Sequence, residues 1–177
     1  GAPTGGYARA MACVETTILD SDAHVIDALK KQLLLTASPA QLQVCDSADG
    51  RPDLHEREFT AAVLDPPWYN AWTRRFLEIS LPLLSRDGHL FLSFLPQLMR
   101  DTAEVDRQQI VRALVDAGCD IVAVDRARLR YVVPRFEEAA YEKLPGFDGL
   151  KWRSGDLVEA RRSRIDCNAA SPLASAL

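Results

Sequence analysis

Short apolar runs alternate along the chain with segments whose apolar residues recur every three or four positions. The runs predict buried strands, and the spaced segments predict helices that pack one face against a sheet. The predicted strands cover residues 16–19, 42–45, 59–64, 90–95, 121–124 with a continuation at 129–133 past a bend, and 156–160. The predicted helices cover residues 7–14, 24–35, 71–84, 103–117 and 137–144, with Gly88 and Gly118 as stops after the third and the fourth.

The alternation of strands and helices predicts an α/β fold with a doubly wound, mostly parallel sheet. The last two strands are close in sequence with no clear packed helix between them, so we expect an antiparallel edge strand. No linker divides the chain. We therefore expect one domain over residues 1–167, followed by a flexible tail at 168–177 that is rich in Ala and Ser.

The most specific feature of the sequence is the motif Asp65-Pro66-Pro67-Trp68, which follows the apolar run of residues 59–64. The motif therefore lies at the carboxyl end of a predicted strand, the edge where open α/β sheets bind ligands. Two consecutive prolines have no N–H to donate, so they cannot continue the strand and they leave backbone carbonyls free. A carboxylate, a free carbonyl and a flat ring together suit a planar amine.

Three acids, Asp20, Asp46 and Asp65, each follow an apolar strand, so a parallel sheet would bring them to one edge. An acid at such a position can accept hydrogen bonds from ribose hydroxyls, and the next can accept from an adenine amino group. The glycine-rich loop of residues 1–6 precedes the first helix on the same edge. The constellation suits an adenosine-containing cofactor. Simpler roles stay open, because Asp20 or Asp22 can cap a helix and Asp46 can be a turn residue.

Composition limits the other classes of function. The net charge of −4 counts against a domain that binds nucleic acid by itself. The scattered cysteines favour free buried thiols in a reducing cytosol, and the three histidines belong to no ligand cluster, so we expect a cytoplasmic protein without a metal site. Two arginine clusters fit either a solvated surface or a nucleic-acid surface: Arg126, Arg128, Arg130 and Arg135, and Arg161, Arg162 and Arg164.

On the motif and the ordered acids, residues 1–96 resemble S-adenosylmethionine-dependent methyltransferases that modify exocyclic amines. The motif is most similar to that of the N6-adenine group. This resemblance implies a Rossmann-like fold, S-adenosylmethionine as cofactor and methyl transfer to adenine N6 in nucleic acid. By this resemblance Asp65 and the Pro66 carbonyl hold the amine while Trp68 stacks on its ring, which is catalysis by positioning. The resemblance further assigns Pro67 to catalysis, Tyr69 and Asn70 to the substrate, and Gly1, Gly5, Asp20, Asp22 and Asp46 to the cofactor, with Asp20 at the ribose and Asp46 at the adenine.

The chain departs from the pattern of this family in two respects. The strand expected before the glycine loop is missing, although it is central in the family's sheet, so we expect either a fragment of a longer protein or another element in the place of that strand. A basic target-recognition segment is also absent, so we expect a partner subunit or a missing domain to supply substrate recognition.

Three other functions remain open. Residues 19–22, 45–46 and 64–67 are also similar to branched-chain polyamine synthases, aminopropyltransferases that use decarboxylated S-adenosylmethionine. Residues 1–6 lack the acids that would attract a cationic amine in those enzymes. Guanine-N2 methyltransferases of ribosomal RNA share an Asp-Pro-Pro-aromatic motif. The last alternative is a non-catalytic, methyltransferase-like subunit that binds a partner or a cofactor without turnover.

Overall fold

The structure, a computed structural model, describes residues 15–36, 40–45, 54, 58–96, 100–131, 139 and 154–163. The chain divides into two compact units, Gly1–Glu56 and Arg57–Leu177. The helix predicted at residues 7–14, nearly all of the helix predicted at 137–144 and the tail lie outside the described residues. Among the described residues, no helix is both long and apolar enough to cross a membrane.

The first unit contains a parallel strand pair and one helix in its described part. Strand β1 (Thr17–Asp20) leads into helix α1 (Ala23–Thr36), which is followed by strand β2 (Gln41–Val44). The two strands pair in parallel. Ile18 on β1 and Ile26 and Leu29 on α1 are buried, as the helical spacing of apolar residues predicts.

The second unit is an α/β layer built on a four-stranded sheet with the order β3-β4-β6-β5. Strands β3 and β4 are parallel, and β6 runs antiparallel to both of its neighbours, β4 and β5. The elements in chain order are β3 (Phe59–Leu64), α2 (Asn70–Ser80), a 3-10 turn (Leu81–Leu83), β4 (Leu84–Phe94), α3 (Ala103–Asp116), β5 (Cys119–Arg130) and β6 (Ser154–Arg162).

This topology confirms the predicted α/β fold class and refines one detail of it. The antiparallel strand is β6, which lies one position inside the edge, and β5 occupies the edge itself. Since β5 is antiparallel to β6, it runs in the same direction as β3 and β4. The carboxyl ends of β3, β4 and β5 and the start of β6 therefore share one edge of the sheet.

Apolar side chains of α2, α3, β4 and β6 form the core of the second unit. Leu77 and Leu114 on the helices are completely buried against Leu90, Leu92 and Val158 of the sheet. Strand β3 is more exposed than its apolar sequence predicts: Val63 is 45% exposed. The reason is that β3 stands at the end of the described four-stranded sheet.

Two predictions for the segment after the motif are wrong. Helix α2 ends at Ser80 rather than Leu84, because Pro82 lies in the following turn of 3-10 helix and cannot continue an α-helix. Gly88 is not a helix stop but lies inside β4, where an added Cβ would be 2.8 Å from Cγ of Leu84. The prediction of Gly118 as the stop of α3 is confirmed, since its φ of 82° is the left-handed conformation that favours glycine.

Neither of the two cysteines in the described part of the chain, Cys45 and Cys119, forms a disulfide bond. Cys119 is buried at the start of β5, and burial raises the pKa of its thiol to about 11, although the charge of Arg162 acts in the opposite direction. A thiol with this pKa stays protonated and unreactive near neutral pH. Cys119 therefore matches the predicted free buried thiol, whereas Cys45 is only partly buried.

Candidate functional site

The motif leaves the sheet at the carboxyl end of β3 and leads directly into α2. Asp65 is exposed and Pro66 is buried, so the acid faces solvent while the first proline is held by the unit. The Pro67 carbonyl accepts a hydrogen bond from the Tyr69 N–H at 2.7 Å. The Pro66 carbonyl accepts no backbone hydrogen bond from the described residues. The Pro66 carbonyl thus has no backbone partner in this part of the structure, and its role beside Asp65 at an amine stays a prediction.

Two side chains, Ser93 and Tyr131, link the two ends of the motif through three hydrogen bonds. The Tyr131 hydroxyl donates to Oδ1 of Asp65 at 2.7 Å. Oγ of Ser93 lies 2.5 Å from the same Tyr131 hydroxyl, and it accepts a hydrogen bond from Nε1 of Trp68 at 3.1 Å. Trp68 and Asp65 are therefore connected through Ser93 of β4 and Tyr131, which directly follows β5.

Ring packing fixes Trp68 in the same cluster. The Trp68 and Tyr131 rings meet edge to face, with centroids 5.1 Å apart and an interplanar angle of 88°, a favourable aromatic geometry. Gly155 at the start of β6 lies beneath both rings: an added Cβ would be 2.8 Å from Cζ2 of Trp68 and 3.3 Å from Cε2 of Tyr131. The indole is half-buried and also packs against the hydrophobic core.

Burial keeps the Tyr131 hydroxyl protonated. Desolvation raises the pKa of Tyr131 well above its ordinary value, and the neighbouring Asp65 carboxylate raises it further, although the hydrogen bond with Ser93 acts in the opposite direction. A phenol with a raised pKa is a neutral hydrogen-bond donor across the physiological pH range. Tyr131 is thus available to donate to Asp65.

A buried ion pair supports the start of β6 behind the cluster. Nη1 of Arg107 on α3 lies 2.8 Å from Oδ2 of Asp156, and the same guanidinium lies 4.4 Å from the Phe94 ring centroid. Oδ1 of Asp156 accepts the Ala127 N–H at 2.8 Å. Ala127 has a positive φ of 51° and lies in an irregular part of β5, where residues 126–128 lie opposite Asp156 alone. The ion pair therefore stabilises a bulge in β5.

The bulge carries part of the first arginine cluster that the sequence contains. Arg126 and Arg128 flank Ala127, and Arg130 ends β5 immediately before Tyr131; all three are exposed. Within the described residues, none of the three forms an ion pair. Arg135 and Arg164 lie outside the described residues.

The two residues predicted to bind substrate after Trp68 make contacts within the protein. Tyr69 is 61% exposed, and its ring lies 5.2 Å from the guanidinium carbon of Arg100. The Asn70 amide donates to Gln109 at 2.6 Å and accepts from Arg74 at 2.7 Å. Tyr69 is therefore open to a ligand, whereas both ends of the Asn70 amide are already hydrogen-bonded.

The predicted cofactor residues belong to the first unit. Oδ1 of Asp20, at the end of β1, accepts the Asp22 N–H at 2.8 Å. Oδ1 of Asp22 accepts the His24 N–H at 2.8 Å, so Asp22 caps the amino end of α1, the simpler role that the sequence left open. Gly1, Gly5 and Asp46 lie outside the described residues, and their predicted roles stay predictions.

Sequence reasoning missed four residues of this cluster: Ser93, Tyr131, Gly155 and Asp156. Ser93 had a signal, because it is the one polar residue in the apolar run 90–95. Tyr131 could have been found as a polar aromatic residue in the predicted continuation of the fifth strand. No local signal marks Gly155 or Asp156, whose partners come from other strands and from α3.

No protein-family model matches the chain, and no curated protein sequence matches it. Solved structures do match it. The branched-chain polyamine synthase from Thermus thermophilus, in complex with N4-aminopropylspermidine and 5′-methylthioadenosine, has a TM-score of 0.68 at 18% identity, over 88% of this chain and 46% of that protein. The N-methyltransferase NodS from Bradyrhizobium japonicum, in complex with S-adenosylhomocysteine, has a TM-score of 0.59 at 13% identity, over 90% of this chain and 74% of that protein.

A third match is the [4+2]-cyclase SpnF, with a TM-score of 0.60 at 17% identity, over 90% of this chain and 71% of that protein. The chain spans about half the length of the branched-chain polyamine synthase. These likenesses show that the chain has the Rossmann-like α/β fold of S-adenosylmethionine-dependent methyltransferases. The three proteins carry different activities on this fold, so the function must be inferred from the site.

Proposed function

We propose that this chain is the catalytic part of an S-adenosylmethionine-dependent enzyme that transfers a methyl group to an exocyclic amine. The observation that carries the proposal is the exposed Asp65 carboxylate at the carboxyl end of β3, with Oδ1 already fixed by Tyr131. The adjacent Pro66 carbonyl accepts no backbone bond from the described residues, so it is a second acceptor for the NH₂ group. Two fixed acceptors orient a planar amine.

The chain's residues act by orientation rather than by strong base catalysis. Asp65 and the Pro66 carbonyl accept the two N–H groups of the amine, so that its nitrogen lone pair points at the methyl donor. The lone pair forms the new N–C bond as the methyl carbon–sulfur bond breaks, and the sulfur keeps that electron pair. The nitrogen then loses a proton to Asp65, which is exposed and can pass it to solvent.

S-adenosylmethionine would supply the electrophilic methyl group, and Asp20 would hold its ribose. Asp20 fits this role in part: it is half-buried at the carboxyl end of β1, and one of its carboxylate oxygens is held by the Asp22 N–H. Fixed carboxylates after parallel strands suit ribose hydroxyls. Asp46, two residues after the end of β2 and outside the described residues, would accept from the adenine amino group.

For the substrate, we propose an adenine base in nucleic acid. The exposed arginines at positions 126, 128 and 130 lie on β5, and Tyr131, which directly follows this strand, contacts Asp65. Guanidinium groups neutralise backbone phosphates, and the exposed Tyr69 ring offers a surface for base stacking. A partner subunit or a further domain would complete recognition, because the chain's net charge is −4.

A second candidate is aminopropyl transfer to a polyamine from decarboxylated S-adenosylmethionine. The structural likeness to the branched-chain polyamine synthase, with a TM-score of 0.68, favours it. The exposed arginines of β5, the strand that leads to Tyr131, disfavour it, because they repel a polycation. Guanine-N2 methylation and a non-catalytic, cofactor-binding role are the remaining alternatives.

The test begins with cofactor binding by the full chain. S-adenosylhomocysteine should raise the thermal midpoint, because a ligand that binds only the folded state stabilises it. Methyl transfer is then followed from labelled S-adenosylmethionine to an adenine-containing oligonucleotide, and aminopropyl transfer from the decarboxylated donor to a linear polyamine. Asp65→Ala should lower methyl transfer by on the order of a hundredfold. Thermal stabilisation without either transfer would favour the non-catalytic role.

A further inference from the structure

The side chains that join Asp65 to Trp68 form a hydrogen-bond chain whose direction is determined by its two ends. The Trp68 indole N–H can only donate, and an ionised Asp65 can only accept. Tyr131 has a single hydroxyl proton, which goes to Asp65. The Ser93 proton must therefore go to the Tyr131 oxygen, while the Ser93 oxygen accepts from Trp68. Every donor in the chain points toward Asp65.

We propose that Ser93 and Tyr131 are positioning residues that hold the carboxylate and the aromatic ring of the motif in one fixed arrangement. This inference rests on the proposed function, since it explains how the amine acceptor and the stacking ring keep their geometry. Backbone and side chains together close a ring: the motif connects Asp65 to Trp68 through Pro66 and Pro67, and the hydrogen bonds connect them back through Ser93 and Tyr131.

The hydrogen-bond chain determines which oxygen of the Asp65 carboxylate receives the amine. Tyr131 occupies Oδ1 of Asp65, whereas Oδ2 accepts no hydrogen bond from the described residues. A hydrogen bond to a charged acceptor is stronger than one between neutral groups and restricts rotation of the carboxylate. Asp65 is exposed, and within the described residues the Tyr131 hydroxyl is the one group that donates a hydrogen bond to its carboxylate, so we treat Tyr131 as its principal restraint. Oδ2 is then the oxygen that faces the substrate.

Because all the donors in the hydrogen-bond chain point toward Asp65, the proton that leaves the amine cannot travel inward along it. A proton relay away from Asp65 would require Tyr131 to donate to Ser93 and Ser93 to donate to the indole nitrogen of Trp68. That nitrogen is a donor only and cannot accept. The hydrogen-bond chain therefore ends in the Trp68 indole, which cannot accept a proton. The proton that Asp65 takes from the amine leaves through solvent.

Burial makes the inner part of the chain rigid. Ser93 is 4% exposed within β4, and the Tyr131 ring meets Trp68 edge to face and lies close to Gly155. A buried hydroxyl without a partner is costly, so each of these groups keeps its hydrogen bond. Ser93 and Tyr131 are therefore rigid, and through the Tyr131 hydroxyl they hold the exposed Asp65 carboxylate in one orientation.

The first arm of the test needs no activity. The indole N–H resonance of Trp68 is assigned by nuclear magnetic resonance in the full chain. Ser93→Ala should shift this resonance upfield and speed its exchange with solvent, because the indole loses its acceptor. Ser80→Ala is the matched control: its hydroxyl is also buried and bonds the Phe76 carbonyl at 2.8 Å, at the far end of α2. An unmoved Trp68 resonance in Ser93→Ala would show that the hydrogen-bond chain does not form.

The second arm measures steady-state methyl transfer to an adenine-containing oligonucleotide. Tyr131→Phe keeps the ring and removes the hydroxyl. It should lower kcat roughly ten- to a hundredfold and leave KM for S-adenosylmethionine unchanged. Ser93→Ala should lower kcat similarly, and the double variant should lose no more activity than the more impaired of the two single variants, because both substitutions break one hydrogen-bond chain. Ser80→Ala should keep the kcat of the unaltered chain.

Two results would overturn the positioning role. If Tyr131→Phe lowers the thermal midpoint but keeps kcat well below that temperature, its hydroxyl is only structural. If the two kcat losses multiply in the double variant, the residues act independently. No methyl transfer by the unaltered chain would instead refute the proposed function and the positioning role with it, while the Trp68 resonance still reports whether the hydrogen-bond chain exists.

Discussion

At the scale of single residues, Trp68 has a structural task in addition to the stacking role that the resemblance implies. Its N–H is used by Ser93, its ring meets the Tyr131 ring edge to face, and Gly155 lies against it. A substitution at Trp68 would therefore change stability and substrate binding together. Gly155 offers a cleaner way to disturb the ring, because it touches the ring without being part of the hydrogen-bond chain.

Gly155→Ala should displace the Trp68 indole and lower stability. The added Cβ would be 2.8 Å from Cζ2 of Trp68 and 3.3 Å from the Phe94 carbonyl oxygen, so the indole must move. Overpacking of this kind costs about 1–3 kcal/mol, measurable by urea unfolding, and the Trp68 indole resonance should shift. Gly88→Ala is the control, since its Cβ would meet Leu84 at the same 2.8 Å. It should lower stability with the Trp68 resonance unchanged; an unmoved resonance in Gly155→Ala would contradict the contact.

At the scale of elements, helix α3 anchors both the loop before it and the strand beside it. Its first turn carries Asp106, which binds Arg100 at 2.9 Å and accepts the Thr102 hydroxyl at 3.0 Å. Arg100 in turn lies over the Tyr69 ring at the start of α2. The second turn of α3 carries Arg107, which pairs with Asp156 on β6. The helix thus supports the site from two directions.

The Asp106 cluster should make stability depend on pH in the acid range. Burial opposes ionisation of Asp106, but hydrogen bonds from Arg100, Thr102 and Asn70 outweigh it and lower its pKa below 3.8. A lowered pKa gives stability that is present above pH 3.8 and is lost as the pH falls through the folded-state pKa. Asp106→Asn should therefore cost about 1 kcal/mol at pH 6 and less at pH 2.5.

Urea unfolding at both pH values checks this expectation. Asp116→Asn is the control on the same helix, because its ion pair with Arg112 is exposed and should contribute only a few tenths of a kcal/mol, about 0.3–0.5. A cost for Asp106→Asn that is equal at pH 6 and pH 2.5 would show that the charge of Asp106 does not stabilise the fold.

The bulge in β5 should depend on the buried ion pair. Asp156→Ala leaves the Arg107 guanidinium buried without its carboxylate and removes the acceptor of the Ala127 N–H. Removing one partner of a buried pair costs about 3–5 kcal/mol, which urea unfolding would detect. Asp120→Ala breaks the exposed, 3.8 Å pair with Arg161 between the same two strands and should cost under about 1 kcal/mol. Equal costs for the two variants would refute the supporting role of Asp156.

At the scale of the whole molecule, charge is distributed unevenly. The net charge is −4, yet the edge strand β5 exposes Arg126, Arg128 and Arg130 near the candidate site. The fold alone does not select the substrate, because a polyamine synthase, an N-methyltransferase and a cyclase share it. The sign of the local charge is therefore the feature that discriminates a nucleic acid from a polycation.

Binding of an oligonucleotide should weaken steeply with salt if these arginines contact phosphates. Replacing both Arg126 and Arg128 with Ala should reduce the slope of log K against log salt by about 1.4, which is 0.7 per phosphate contact on a single strand. Arg112→Ala is the control, because that arginine is exposed on α3 and already paired with Asp116. Fluorescence anisotropy at several salt concentrations measures the slope. A slope that is unchanged in the double variant would assign these arginines to solvated surface.

The sequence by itself determined the order of the elements and the place of the motif. Apolar runs and helical spacing are local signals, so β1, β2, β3, α3 and β6 were predicted within a few residues, and two prolines necessarily end β3. Pro82 and the extended start of β4 were misread, because the apolar spacing of α2 continues past its proline.

Only the tertiary structure decided how the motif is held. The hydrogen bonds that connect it join residues 25, 38 and 66 positions apart, and they depend on the placement of β6 between β4 and β5. That strand order brings the end of β5, the end of β4 and the start of β6 to one edge. Pairing between strands distant in sequence leaves no periodic trace in the chain, so the sequence can mark Ser93 and Tyr131 as unusual, but only the sheet shows that they and Gly155 contact the motif.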